Sequence, residues 1–148
     1  MPVVELREIT NDNLEEVLKL KVAEKQKDFV SSNAHSLAQA WVFRKTAFPF
    51  AIYAENRVVG FVMLGYYELK NQYTLWKFMI DEKYQGKGYG QKALELAIDW
   101  LVENYNVEEI ATGVAFQNAI AENLYHSFGF RKTGESDGFS YEMILRIK

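Results

Sequence analysis

The segment from Ile80 to Gln91 reads IDEKYQGKGYGQ and sets glycine at positions 86, 88 and 90, between an apolar strand pattern and an amphipathic helix pattern. Alternate glycines let a backbone bend sharply and approach a ligand with no side chain in the way. The following helix carries Ala93, Leu94, Ala97, Trp100 and Leu101 at helical spacing. Its first-turn amides have no partner inside the helix, so unpaired donors and the helix dipole converge on one spot that favours an anion, phosphate above all. Strands are expected on both sides, from Tyr73 to about Asp81 and from Glu109 to Val114, parallel and joined by a right-handed crossover.

The rest of the chain supplies more strands and helices around this unit. Val4 and Leu6 alternate with Glu5 and Arg7, which predicts a first strand ending near Ile9. Asp12 and Glu15 form a capping-box pattern, and Leu14, Val17 and Leu18 predict a helix to about Lys25. Ser36 reads as the N-cap of a second helix with Leu37, Ala40 and Trp41 on one face. The runs FAIYA and VVGFVMLGYY flank Glu55, Asn56 and Arg57 as a hairpin. A short helix from Ala119 to Phe128 and a hairpin turning at Asp137 and Gly138 complete an α/β arrangement with a mixed sheet covered by helices.

At 148 residues one domain, 1–148, accounts for the chain. The 15% of aromatic residues serve either a cleft lining or the packing of the core. A net charge of −3 with no block of like charges argues against nucleic acid as a partner. The absence of cysteine removes disulfides and thiolate metal sites, and His35 and His126 alone make a multi-histidine metal centre unexpected. The N-terminal stretch carries Glu5 and Glu8 and no long apolar run, so neither signal peptide nor membrane span is expected, and the location expected is cytoplasmic.

Three phosphate-binding patterns compete for the glycine turn. The P-loop requires Ser or Thr after its Lys, and here Lys87 precedes Gly88. The dinucleotide fingerprint G-x-G-x-x-G/A is met in spacing from Gly88 to Ala93, but the turn follows a late strand, and Glu109 begins the next strand where an acidic ribose ligand should end it. Gln85, Gly88 and Gly90 match Gln/Arg-x-x-Gly-x-Gly/Ala, and Asn118, Ala121, Leu124, Tyr125, Gly129 and Phe130 match Asn-x-x-Ala-x-x-Leu-Tyr-x-x-x-Gly-Phe. In these two ordered motifs, from about residue 50 to 135, the chain resembles the GNAT acetyltransferases.

The resemblance implies a mixed, mostly antiparallel sheet of about seven strands flanked by about four helices, with acetyl-CoA between two splayed parallel strands and no metal. It implies that Phe78, Met79 and Ile80 hold the pantetheine arm through their backbone. The amides of Gly86, Lys87, Gly88, Tyr89, Gly90 and Gln91 would hold the pyrophosphate behind Gln85, Lys87 would add charge, and Asn118 would bond the arm. Tyr125 takes the position of the general acid that protonates the departing thiolate; a free tyrosine at about 10 against a thiol at about 8.5 makes this uphill by roughly 2 kcal/mol in water.

The acceptor amine must lose a proton before it attacks. Many polyamine-type members place a carboxylate four residues ahead of the strand's last apolar residue, where this chain has Trp76 followed by Lys77. Glu24, Asp28 and Glu68 are candidate substitutes as well as ordinary surface carboxylates, and Trp76 suits either a cationic amine or the core. His126 follows Tyr125 directly and should point elsewhere on its helix. The run KQKDFVSSNAHSLAQA, Lys25 to Ala40, is similar to bacterial spermine/spermidine or diamine acetyltransferases. The expected activity is acetyl transfer from acetyl-CoA to a small-molecule amine, a polyamine such as spermine or spermidine, in a possible homodimer. The alternatives are another amine, such as an antibiotic or a protein N-terminus, and a non-catalytic acyl-CoA sensor.

Overall fold

The computed structural model describes residues 3–23 and 32–148. In chain order they form β1 (Val4–Glu8), α1 (Leu14–Lys19), α2 (Asn33–Val42), β2 (Ala47–Ala54), β3 (Arg57–Tyr67), β4 (Gln72–Ile80), α3 (Tyr89–Tyr105), β5 (Glu109–Ala115), α4 (Ala119–Phe128), β6 (Arg131–Ser136) and β7 (Ser140–Arg146). The strands make one sheet in the order β1-β2-β3-β4-β5-β7-β6. Every neighbouring pair is antiparallel except β4 and β5. This is the mixed, mostly antiparallel sheet flanked by four helices that the family resemblance implies.

The central strand shows why the sheet is covered on both faces. Val58 to Gly65 of β3 are all buried, the continuous apolar run of a strand with helices above and below it. On one side Leu94 and Leu101 of α3 and Tyr125 of α4 pack on Ile52, Val62 and Leu64. On the other, Val17 of α1 and Ala40 of α2 pack on Ala51, Phe61 and Met63. Leu94 and Leu101 are fully buried, each contributing about 1.5–3 kcal/mol. The β2–β3 hairpin turns at Glu55 (φ 51°) and Asn56 (φ 69°), both in the left-handed region that a tight two-residue loop requires.

Part of the aromatic surplus forms a half-buried cluster at the edge of the core. Tyr66, Tyr73, Tyr105, Phe48, Trp100 and Phe50 follow one another with ring centroids 4.8–5.3 Å apart and dock the second half of α3 on the sheet.

Two helices depart from the sequence expectation. The first ends at Lys19 rather than near Lys25, because Leu20 is extended and the chain is drawn to the end of β4. There Asp81 accepts from the Lys21 amide at 2.9 Å, and the Glu82 amide donates to the Lys21 carbonyl at 2.7 Å. The Asp12 capping box does not form: Asn13 takes the N-cap position and its side chain is spent on the turn before the helix. The second helix begins a turn earlier than Ser36, with Ser32 accepting from the His35 amide at 3.0 Å, while Ser36 is buried inside it. Trp41, expected on the apolar face, is 70% exposed and carries Arg44 over its ring. Among the described residues no helix is long and apolar enough to cross a membrane.

Asn13, 4% exposed, ties β1 to α1: its Oδ1 accepts from the Thr10 amide at 2.9 Å, and its Nδ2 donates to the Glu8 carbonyl at 3.0 Å and the Tyr53 hydroxyl at 3.2 Å. Asn13→Ala strands these buried partners and is expected to destabilise the fold by about 2–3 kcal/mol, read from the urea unfolding midpoint at unchanged slope.

Candidate active site

The parallel strands stay together for two residue pairs, Thr74 with Ala111 and Leu75 with Thr112. The Thr112 hydroxyl donates to the Leu75 carbonyl at 2.9 Å as the last link across the gap. Trp76 is then an extra residue in β4, because Leu75 pairs with Leu64 and Lys77 with Met63. Beyond this bulge β4 remains bonded to β3, and Gly113 to Ala115 of β5 remain bonded to β7. The facing edges of β4 and β5 therefore diverge, leaving main-chain donors and acceptors bare along a cleft of about 150 Å³. An extended ligand with amide groups would complete both edges as an added strand does.

The cleft leads to the glycine turn. Gly86 (φ 79°) and Gly88 (φ 85°) lie in the left-handed region, with open space where a Cβ would stand. Gln85 donates from Nε2 to the Ile80 carbonyl at 2.9 Å, clamping the turn to the strand end. Gly88 is the N-cap of α3 and has no capping side chain, and the first turn holds no acidic residue. The amides of Tyr89, Gly90 and Gln91 thus open a 17-residue helix with their donors unspent on a cap, an arrangement suited to a pyrophosphate. Lys87 is exposed beside it.

Helix α4 supplies the third wall. Asn118 caps it, its Oδ1 accepting from the Ala121 amide at 3.4 Å, and also lines the cleft. Gly129 ends it at φ 107°, where the Gly129 and Phe130 amides close on His126 and Tyr125. Phe130 is fully buried against the Tyr125 ring, centroids 5.6 Å apart. Each member of the Asn–Tyr–Gly–Phe pattern therefore has its own place in the structure, as cap, cleft wall, left-handed stop and core anchor. Burial pushes the Tyr125 hydroxyl up to about 12, with the neighbouring Thr112 hydroxyl opposing, so it is a neutral donor at pH 7.

Residues 6–130 match the Acetyltransferase (GNAT) family. The chain belongs to it. The spermine/spermidine N(1)-acetyltransferase of Bacillus subtilis is 34% identical, with 96% of each chain covered. An N-alpha-acetyltransferase of Sulfurisphaera tokodaii is 31% identical over 56% of each. In fold, the chain is similar to spermidine N-acetyltransferase from Vibrio cholerae in complex with CoA and spermine, with TM-score 0.76, 19% identity and 97% and 95% of the two chains covered. A domain from Methanocaldococcus jannaschii gives TM-score 0.79 at 20% identity over 99% and 100%. The protein is a GNAT acetyltransferase, and enzymes of this family use acetyl-CoA.

In this acetyltransferase the structure brings Trp76, Phe78, Asn118 and Tyr125 to one cleft, together with Lys77 and Thr112, which the motifs do not include. Met79 and Ile80 sit past the cleft wall, with Met79 turned to the α1/α2 side and Ile80 to the α3 side. Trp76 is both cleft wall and packing: it contacts Phe43 at 5.9 Å and covers Gly65, where a Cβ would stand 3.0 Å from its ring. Glu68 lies on a single 3-10 turn between β3 and β4, exposed and off the cleft. His35 and His126 are exposed. Glu24 and Asp28 lie outside the described residues.

A second cavity of about 330 Å³ shares Thr112 and Gly113 with the cleft and is lined by Tyr67, Lys70, Glu135, Asp137, Tyr141 and Glu142. The Lys70 ammonium lies 3.4 Å from Glu142 and 3.9 Å from Glu135. Burial raises Glu142, but the Thr133 hydroxyl and Lys70 outweigh it and hold the carboxyl below its usual range. Asp137 is held low by the amides of Phe139 and Ser140, which it accepts at 2.8 and 2.7 Å. No sequence motif marks these acids, because the β6–β7 hairpin meets the β3–β4 turn only in the folded sheet.

The two motif glycines of the turn differ in their reason for being glycine. Gly88→Ala forces a left-handed residue and should destabilise by about 1–2 kcal/mol. At Gly90 a Cβ meets only Ile80 at 3.5 Å and Phe78 at 3.8 Å, ordinary contacts, so Gly90→Ala should be neutral or stabilising by up to about 1 kcal/mol. Urea unfolding of the two variants checks the contrast.

Proposed function

We propose that this acetyltransferase moves the acetyl group of acetyl-CoA to a primary amine of a polyamine such as spermine or spermidine. The observation that carries the acceptor is the second cavity. Its carboxylates Glu135 and Glu142 already hold an alkylammonium, that of Lys70, and it shares Thr112 and Gly113 with the cleft. The similarity to polyamine acetyltransferases runs nearly the full length of the chain, which favours the same substrate class.

The amides from Gly86 to Gln91 bind the pyrophosphate, with Lys87 adding charge. The bare edge of β4 near Phe78 and the Asn118 side chain bond the pantetheine arm, in place of a neighbouring strand. A β4 amide polarises the thioester carbonyl. The nitrogen lone pair attacks the carbonyl carbon, the carbon–sulfur bond breaks, and Tyr125 donates its hydroxyl hydrogen to the leaving sulfur. Measured against a thiol in water, a phenol at about 12 is a weaker acid by roughly 5 kcal/mol. The same desolvation raises the proton affinity of a buried thiolate, which narrows the gap.

Thiol release is to be followed with spermine, spermidine, putrescine and lysine peptides. Tyr125→Phe should lower kcat about 10²-fold or more at little change in KM, the range of a lost general acid. Glu142→Gln should raise the polyamine KM several-fold and leave the acetyl-CoA KM in place. Turnover confined to another amine would overturn the polyamine assignment, and acetyl-CoA binding without turnover on any amine would favour a sensor.

A further inference from the structure

We propose that Lys70 is a tethered competitor of the substrate: its ammonium holds the place between Glu135 and Glu142 that the distal ammonium of a diamine or longer polyamine takes, and such an amine binds by displacing it. The inference rests on the polyamine reading of this cavity. Lysine carries its ammonium on a flexible four-carbon stem, which makes it chemically an aminobutyl arm. Among the described residues lining the cavity, Lys70 is the one cation beside three carboxylates. It ends the 3-10 turn between β3 and β4 and reaches across to the β6–β7 hairpin.

The carboxylate at the centre does not need Lys70 to stay in place. Glu142 lies in β7 opposite Gly113 of β5, and its Oε1 accepts from the Thr133 hydroxyl at 3.0 Å. Only Oε2 faces the Lys70 ammonium, at 3.4 Å, with Glu135 at 3.9 Å on the other side. Asp137, the third acid, is committed to the amides of its own turn. Charge-assisted bonds at their best measure about 2.7–2.9 Å, so Lys70 makes an open contact. Half of its side chain is exposed, against 17% for Glu142. A lysine held this loosely has room to swing into solvent, and a surface ion pair of this kind opposes its displacement by a few-fold in affinity.

The position suits an arm reaching from the reacting nitrogen. Gly113 borders both the cleft and the cavity and bears no side chain to separate them. A Cβ there would point to the cavity side, 3.4 Å from the Ser140 hydroxyl. Glu142 stands on the next strand, about 4.8 Å further on, within the span of an alkyl chain of a few carbons. The other lysine of this region, Lys132, is engaged elsewhere, 3.3 Å from Glu122 and over the Tyr141 ring. Lys70 therefore sets how strongly a second ammonium is rewarded, and with it the preference for polyamines over monoamines.

The test measures kcat and KM for spermidine, putrescine and butylamine with the wild type, Lys70→Met and Lys70→Arg, each with Glu142 and with Glu142→Gln. Lys70→Met should lower the spermidine KM about 3- to 10-fold at little change in kcat, the size of a lost surface ion pair. The kcat/KM ratio of spermidine to butylamine should rise by the same factor. Lys70→Arg retains a cation and should leave the spermidine KM at or above that of the wild type. In the Glu142→Gln background the gain from Lys70→Met should shrink to within about twofold, because the two residues act on one subsite. Calorimetry of spermidine binding to the CoA-loaded protein should show the same gain in Kd without turnover.

A spermidine KM that is unchanged or raised in Lys70→Met overturns the proposal, and so does an equal gain on butylamine. Polyamine turnover that Lys70→Met fails to improve refutes the Lys70 role alone. Polyamines that neither the wild type nor Lys70→Met acetylates refute the polyamine assignment and this role with it.

Discussion

Pairing between β4 and β5 stops after Leu75 and Thr112, and the chemistry of this protein depends on that stop. Two parallel strands with a helical crossover would ordinarily remain bonded along their shared length. Here Thr112 spends its hydroxyl on Leu75, an extra residue bends β4 at Trp76, and each strand is held by its other neighbour. Beyond the bulge β4 follows β3 and β5 follows β7, with no pairing between them. Bare main-chain groups in a part-buried cleft are unfavourable unless they find partners, so an extended, amide-bearing ligand would suit the cleft.

Rigidity in α3 fixes the other end of that receptor. The helix is anchored at its C-terminal half by Trp100 and Tyr105 within a run of mostly tilted ring contacts, and at its start by Ala93 and Leu94 in the core. Its first amides therefore stand in one place relative to the β4 edge, and the glycine turn between them is clamped by Gln85 on Ile80. Preorganisation of this kind reduces the ordering needed when a charged ligand arrives.

Burial acts on the two ionisable walls of the cleft in opposite senses for one reason. Removing water disfavours the charged form, so the Tyr125 phenol is pushed up and the Lys77 ammonium is pushed down. At neutral pH the phenol is neutral, whereas an ammonium lowered to about 8 is still mostly charged. The fully exposed carboxylate of Asp137 and the part-buried one of Glu142 instead keep their charge through amides, hydroxyls and Lys70, which suits them to a cation.

Local rules made the order of elements legible, because the alternation in β1, the apolar run of β3, the helical spacing of α3 and the glycines at 88 and 129 each act within a few residues. The same rules pointed to the glycine turn as an anion cradle, whereas Tyr125 was singled out only by the resemblance to the family motif. They failed at the ends of α1 and α2, where Asp81, sixty positions away, draws Lys21 into an extended path and where Ser32 rather than Ser36 meets the first free amide. The cavity acids and the bulge at Trp76 were invisible to them. Glu135 and Glu142 meet Lys70 only because β7 is inserted between β5 and β6, and β4 bulges only because β3 offers it one residue too few. Sequence alone determined which segments become strands and helices and which turn can hold an anion, since these follow from local backbone preference. Tertiary structure decided where two strands part and which side chains look into the gap, since those depend on pairing between residues far apart in the chain.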